Sequence, residues 1–249
     1  MVYSQYNWFE SVMKFFHDEG VVLRKHDVGE KDEVVILMTK HLGKMAFMAK
    51  GSRDPKSRKA GSLQLCNTVA FEARESKSKL DYLQQVKTIR SRGTDLAEKD
   101  ESLGKFYRAM EILKLTDTFL QELQSVHFVY NDLNLALDLA ESPSIVLIYW
   151  VRLLQDLGYL PDWSLCCVCH EKLDLETPIE FSTENRGFAH QLLCRNQADK
   201  QKLSKAVDKD LVKVMSFWQR SALQEAVRVD VKSEILPRIR DILTAAVIK

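Results

Sequence analysis

Near residue 95 the apolar residues change their period. Before about residue 92 they come in short runs and alternations bounded by turn residues; after about residue 102 they recur every three or four positions. Strands turn a new face at every residue and helices at every 3.6, so a single architecture cannot serve both halves. The polar stretch Ser91–Glu101 (SRGTDLAEKDE) lies between them as a hinge. The expected fold class is therefore α+β and multidomain: a small N-terminal β-barrel followed by an α-helical domain. The expected boundaries are an extension over 1–19, a barrel over 20–95 and a helical domain over 96–249, with a cysteine-bearing insert at about 160–200.

In the front half, Val21–Lys25, Glu33–Thr39, Lys44–Lys50 and Asn67–Ala73 read as strands, with Gly29 in an acidic turn and Gly43 between the second and third. Leu80–Ile89 fits either a fifth strand or a helix. Five short strands in so small a span suggest a closed or half-closed barrel. Ahead of them, Trp8, Val12 and Phe15/Phe16 have the spacing of a short terminal helix, and Met13 competes with Met1 as the start. In the back half, helices are expected over about 102–124, 128–139, 142–157, 203–227 and 233–247. The third has Ser142 as N-cap, Pro143 in the first turn and Gly158 as its stop.

Charge is unevenly placed. The whole chain carries +1, but residues 1–95 hold 17 Lys+Arg against 12 Asp+Glu, and the remainder holds 19 against 23. The basic excess peaks between Lys40 and Ala60, where Lys40, Lys44, Lys50, Arg53, Lys56, Arg58 and Lys59 face a single acid, Asp54. A strand ending in a cationic loop suits contact with phosphates, backed by Arg24. The bland alternative is a solvated loop. Phe47 and Phe71 are candidate stacking platforms, although strand phenylalanines are more often core.

The five cysteines, Cys66, Cys166, Cys167, Cys169 and Cys194, are odd in number and crowded, which fits a reduced chain with a metal site better than a disulfide framework. Cys166-x-x-Cys169 has the spacing of half a tetrahedral zinc site. Cys194 supplies a third ligand, but Gln197 stands where a partner cysteine is expected. His190, Cys167 and His170 are the nearby substitutes. On these grounds a degenerate knuckle outweighs a bound zinc. No phosphate-binding loop, dinucleotide fingerprint or nucleophile elbow is present in the sequence, so nothing here argues for an enzyme. Ile145–Leu154, the most apolar run, is too short to span a bilayer and contains Arg152. A soluble cytoplasmic protein with no membrane partner is expected.

Two segments carry a family resemblance. The first is GVVLRKHDVGEKDEVVILMTKHLGKMAFMAKGSRDPKSRKAGSLQ, with its G-E-x-D turn and K-G-x-R-x-P-K-S motif. The second is LLQDLGYLPDWSLCCVC, followed by Gly187 through Cys194. Together they resemble the bacterial DNA recombination and repair protein RecO family from about Gly20 to the end. The resemblance implies an N-terminal OB-fold, a helical C-terminal domain and, in many members, a four-cysteine zinc module. It implies a nucleoid-associated, non-catalytic protein of the RecF pathway that binds single- and double-stranded DNA and anneals complementary strands. It also implies work with a RecR-type partner to load the recombinase RecA on DNA coated by single-stranded DNA-binding protein. Carried over by position, the DNA contacts fall on Lys50, Arg53, Lys56, Ser57 and Arg58, and the metal ligands on Cys166, Cys169 and Cys194. Gln197 and the first dozen residues depart from the family pattern. The rival expectation is an interaction adaptor whose helical domain binds partners while the barrel is only structural.

Overall fold

The computed structural model describes residues 14–77, 79–92, 102–122, 127–191, 194 and 203–247. Trp8, Val12, both candidate start methionines, most of the expected hinge and Gln197 lie outside the described residues. The front half forms β1 (Phe15–Val28), β2 (Asp32–Thr39), β3 (Gly43–Ala49), a short α1 (Arg58–Ser62), β4 (Thr68–Arg74) and β5 (Asp81–Arg90). These strands close into a barrel in the order β1-β2-β3-β5-β4. All pairs are antiparallel except β3 with β5, which meet in parallel at Phe47–Asp81 and Met48–Tyr82. That is the connectivity of the five-stranded OB-fold.

Two sequence expectations resolve here. Leu80–Ile89 is a strand, because its β-branched and aromatic residues pair along the length of β4 to close the barrel. Phe15 and Phe16 do not belong to a terminal helix: they open β1, which pairs with β4 through its first half and with β2 through its second. Phe16 packs towards Phe47, with ring centroids 6.3 Å apart. A register shift between Val22 and Arg24 lets this long strand serve two partners.

The runs GVVL and VVILM fail to alternate because both faces of β1 and β2 are buried. Val22, Val35 and Leu37 point into the barrel with Phe47, Phe71 and Leu83. Val21, Leu23, Ile36 and Met38 point the other way, into the core of the helical domain. A strand covered on both sides has no polar face to show. Phe47 and Phe71 are barrel core, edge-to-face at 5.0 Å, and are not stacking platforms.

The back half contains α2 (Ser102–Phe119), α3 (His127–Asp138), α4 (Ile145–Asp156), β6 (Ile179–Ser182), β7 (Gly187–His190), β8 (Leu203–Val207), α5 (Lys209–Arg220), α6 (Leu223–Ala226) and α7 (Ile235–Val247). From Ile145 to Leu154 every residue of α4 except Arg152 is buried, which makes it the central helix. It ends as expected at Gly158, whose φ is +74°. The Gly158 amide donates to the Gln155 carbonyl and the Tyr159 amide to the Leu154 carbonyl, a Schellman pair that satisfies the last carbonyls. Its N-cap position is Ser144 rather than Ser142, and that side chain makes no capping bond. The helix expected from Leu203 starts late. Leu203–Val207 is a strand on the edge of β6, and the helix begins only after Asp208, whose carboxylate accepts from the Asp210 amide. No described helix is long and apolar enough to cross a membrane.

Polar bolts join barrel and helices. Lys44 is 9 % exposed, and its Nζ donates to the Asp117 carbonyl at 2.6 Å and lies 3.3 Å from the Asp117 carboxylate. Arg92, directly after β5, is 7 % exposed and reaches from the start of β4 to α3.

Candidate functional site

The cationic stretch begins where β3 runs out at Ala49. Gly51 takes a left-handed φ of +65°, turning the chain away from the sheet. Its amide donates to the Asp32 carboxylate at 2.8 Å, and the Arg53 amide donates to the Lys31 carbonyl at 3.0 Å. These bonds lay the loop against the β1–β2 turn. Arg53 is held over that turn by the Gly29 carbonyl at 3.1 Å and the Asp27 carboxylate at 3.1 Å. The Lys56 amide donates to Asp54 at 3.0 Å, which, with Lys31 close by, holds the Asp54 carboxyl below its usual range. Ser57 is used locally, accepting from the Lys59 amide as the N-cap of α1.

Position and partners divide the expected contacts. Lys50, Arg53, Lys56 and Arg58 are exposed. Among the described residues, no ion pair is formed by Lys56 or Arg58. Lys59 turns inward: its Nζ donates to the Leu83 carbonyl at 2.7 Å, and burial lowers its pKa. Lys44 is committed to Asp117, and Arg24 pairs with the same carboxylate at 3.3 Å. Lys40 sits 3.3 Å from Glu19. The fold therefore gathers Lys50, Arg53, Lys56 and Arg58 on one loop, with Arg53 paired to Asp27; Arg24 and Lys40 lie off that loop with carboxylate partners of their own, and Lys44 and Lys59 turn inward.

The barrel adds cations that linear spacing missed. Arg74 ends β4 and Tyr82 opens β5 directly opposite it. The Tyr82 ring holds Lys50 Nζ at 4.9 Å and the Arg74 guanidinium at 5.2 Å from its centroid, so one aromatic side chain aligns two charges. Lys77 and Lys79, both exposed, sit in the β4–β5 loop just beyond. An aromatic residue at the start of an ambiguous segment was the available clue.

The second site lies between α4 and α5. The Cys166-x-x-Cys169 turn is closed by the His170 amide donating to the Cys166 carbonyl at 2.9 Å, with His170 at a φ of +61°. β7 ends at His190, and Cys194 follows with its amide 3.3 Å from the His190 carbonyl. The result places Cys166, Cys169, His190 and Cys194 with all ligand atoms within 4.8 Å of one another. Cys166 Sγ is 3.6 Å from Cys194 Sγ, and His190 Nδ1 is 3.6 Å from Cys169 Sγ and 4.0 Å from Cys194 Sγ. A zinc tetrahedron with the usual bond lengths has edges of about 3.5–3.8 Å. Of the three candidates for a fourth ligand in the sequence, His190 is the one the fold brings to the three cysteines. Cys167 points elsewhere, packed so closely on Gly187 that a Cβ there would lie 2.8 Å from the Cys167 Cβ. Gln197 tells against a metal only through cysteine spacing, and a histidine at a strand end fills the corner instead.

The electrostatics suit a cation. Burial pushes the Cys166 thiol up, but the amides of Cys169 and Val168, with other nearby donors, outweigh it and bring it down to about 6. Burial holds Cys194 up at about 12 in the absence of a positive charge, helped by its neighbouring thiols. The Asp174 amide nitrogen lies 3.3 Å from His190 Nε2; ligation through Nδ1 would put the ring proton on Nε2, so this amide would have to turn to another acceptor when an ion binds.

Two family models match the chain: "Recombination protein O N terminal" over residues 13–92 and "Recombination protein O C terminal" over residues 101–247. Their junction falls between β5 and α2. Among curated proteins, the DNA repair protein RecO of Bacillus cytotoxicus is 29 % identical over 229 residues, covering 90 % of this chain and 88 % of its own length. The DNA repair protein RecO of Bacillus cereus is 28 % identical with the same coverage. An OB-fold barrel, a helical domain around α4 and a cysteine cluster between its helices thus coincide with family models spanning both halves, and the chain belongs to the Recombination protein O (RecO) family.

Proposed function

We propose that the protein is a non-catalytic DNA-binding mediator of recombinational repair. It holds phosphate backbones on the barrel, allows complementary strands to anneal, and helps load a RecA-type recombinase on single-stranded DNA with a RecR-type partner and single-stranded DNA-binding protein. The observation that carries this is the exposed cationic loop beside the Tyr82 pair, in a chain whose relatives are named DNA repair proteins. Lys50, Arg53, Lys56 and Arg58 would neutralise phosphates without reading bases. Screening the charge of two strands lowers their repulsion and favours pairing.

The test is a salt series. With Lys56→Ala and Arg58→Ala combined, the slope of log K against log salt is expected to flatten by about 1.4 units on single strands and about 1.8 on duplex, equally for all sequences. Fluorescence anisotropy on a labelled oligonucleotide measures it, followed by annealing of the complement. An unchanged slope removes this loop from the interface. Weak, salt-insensitive binding by the wild type would favour the adaptor reading instead.

The cysteine cluster is assigned a structural zinc. Cys166, Cys169, His190 and Cys194 would hold it, and the ion would supply charge compensation and cross-linking rather than chemistry. Metal analysis of the purified protein is expected to give about one zinc per chain, falling well below half in His190→Ala. Chelation should lower the melting temperature of the wild type and leave that of Cys166→Ser with Cys194→Ser unchanged. A metal content indifferent to His190 would refute the assignment.

A further inference from the structure

We propose that the mouth of the barrel carries a docking groove for a basic, extended segment of a partner protein, distinct from the DNA surface. Two hollows of about 640 and 480 Å³ adjoin there and share His17, Asp18 and His41. The larger has an apolar floor of Phe16, Leu42 and Met45. Leu42, in the β2–β3 turn, is 39 % exposed. Volumes of this size take one or two side chains with their backbone.

The walls define the partner's chemistry. Glu75 and Asp81 line the larger hollow, Glu19 and Glu72 the smaller, and Asp18 both. Among the described lining residues, Lys87 is the one lysine or arginine. The two histidines are fixed by carboxylates: His41 Nδ1 lies 2.7 Å from Asp18, and His17 Nε2 lies 2.9 Å from Glu72. The Asp18 carboxylate also accepts from the Glu19 and His41 amides at 2.8 and 3.1 Å, which locks the junction of the hollows. Five carboxylates surround the apolar floor, Glu19 already sharing its charge with Lys40 at 3.3 Å, and together they repel a phosphate backbone and attract a cation. The complementary ligand is a peptide with one or two aliphatic or aromatic anchors flanked by lysine or arginine. The groove ends next to Arg74 and Tyr82, so a bound partner would sit beside DNA without competing for its charges.

The probe is a fluorescein-labelled twelve-residue peptide with a Leu-Phe pair flanked by lysines. Two controls replace the lysines by glutamates or the Leu-Phe pair by serines. Anisotropy with the full chain is expected to show binding of the first peptide at least tenfold tighter than either control. Glu72→Gln with Glu75→Gln, and separately Leu42→Ser, are each expected to weaken it at least tenfold. Both variants should keep the wild-type melting temperature and oligonucleotide affinity within twofold. Because oligonucleotide binding is measured alongside, failure of the DNA reading leaves the peptide result standing, and the reverse. Equal affinity for the three peptides, no binding, or no change in either variant overturns the groove. Displacement of the peptide by an oligonucleotide would make the surface part of the DNA site. Self-association in light scattering that Leu42→Ser abolishes would assign the groove to a second copy of this chain. Either result overturns the proposal.

Discussion

Arg92→Ala is expected to destabilise the protein by about 2–4 kcal/mol, the cost of leaving several buried acceptors without their donor. Its Nε donates to the Asp138 carboxylate at 2.8 Å. One terminal nitrogen donates to the Cys66 carbonyl at 3.0 Å and the Thr68 hydroxyl at 2.8 Å; the other reaches the Asn134 carbonyl and side chain, both at 3.2 Å. Thr68 in turn donates to Asn134 at 2.6 Å. The guanidinium and the Thr68 hydroxyl thus together tie the start of β4 to α3. Removing the guanidinium leaves several buried acceptors near the junction without a donor, each with a desolvation cost of about 1–3 kcal/mol, while Asp138, 30 % exposed, keeps Arg90 and solvent. Arg92→Lys should recover only part, because an ammonium cannot reproduce the planar fork. Arg90 pairs with the same Asp138 but is 56 % exposed, so Arg90→Ala should cost under about 1 kcal/mol. Urea unfolding at matched conditions measures both. The loss of Arg92 is also expected to split one transition into two, as barrel and helices become less firmly joined. Equal effects from Arg90 and Arg92 would contradict this account.

The barrel was legible because its strands are short, β-rich and punctuated, but the sequence did not say which way they face. VVILM on β2 reads as one apolar block. Only the docking of helices on one side and the barrel interior on the other explains why Val35 and Leu37 separate from Ile36 and Met38. The charge pattern was legible as composition and not as function. Lys44 and Lys59 look like their neighbours in the sequence, yet each finds a carbonyl at 2.6–2.7 Å in the tertiary structure. Arg74 and Tyr82 are distant from the loop in sequence and reach Lys50 only because β3 and β5 run in parallel. The metal corner was hidden for a similar reason. Spacing rules describe turns, and His190 comes from a strand end brought over the Cys166–Cys169 turn by β6–β7 pairing. The late start of α5 was obscured because Leu203–Val207 satisfies a helical apolar spacing as well as the edge of β6.

Replacing Lys50, Arg53, Lys56 and Arg58 together by alanine is expected to lower affinity for single-stranded DNA several-hundred-fold at about 0.1 M salt. Each neutralised phosphate contributes about 0.7 to the slope on single strands. If affinity extrapolated to 1 M salt is unchanged, each phosphate left without its cation costs about fivefold at 0.1 M, and four compound to that figure. Stability should change little, because Lys50, Lys56 and Arg58 are exposed and Arg53 gives up only bonds at an exposed turn. Lys59→Ala is the decisive comparison. Its charge lies in the same stretch, but its Nζ holds the Leu83 carbonyl and binds α1 to β5. That variant should lose stability of about 1 kcal/mol and keep the salt slope. Tyr82→Leu belongs with the quadruple variant rather than with Lys59→Ala. It removes the ring that aligns Lys50 and Arg74, so it should weaken DNA binding with the net charge intact. A salt slope that falls for Lys59→Ala as steeply as for Lys56→Ala would mean that the loop reorganises on binding and that exposure in the free protein does not select the residues that meet phosphate.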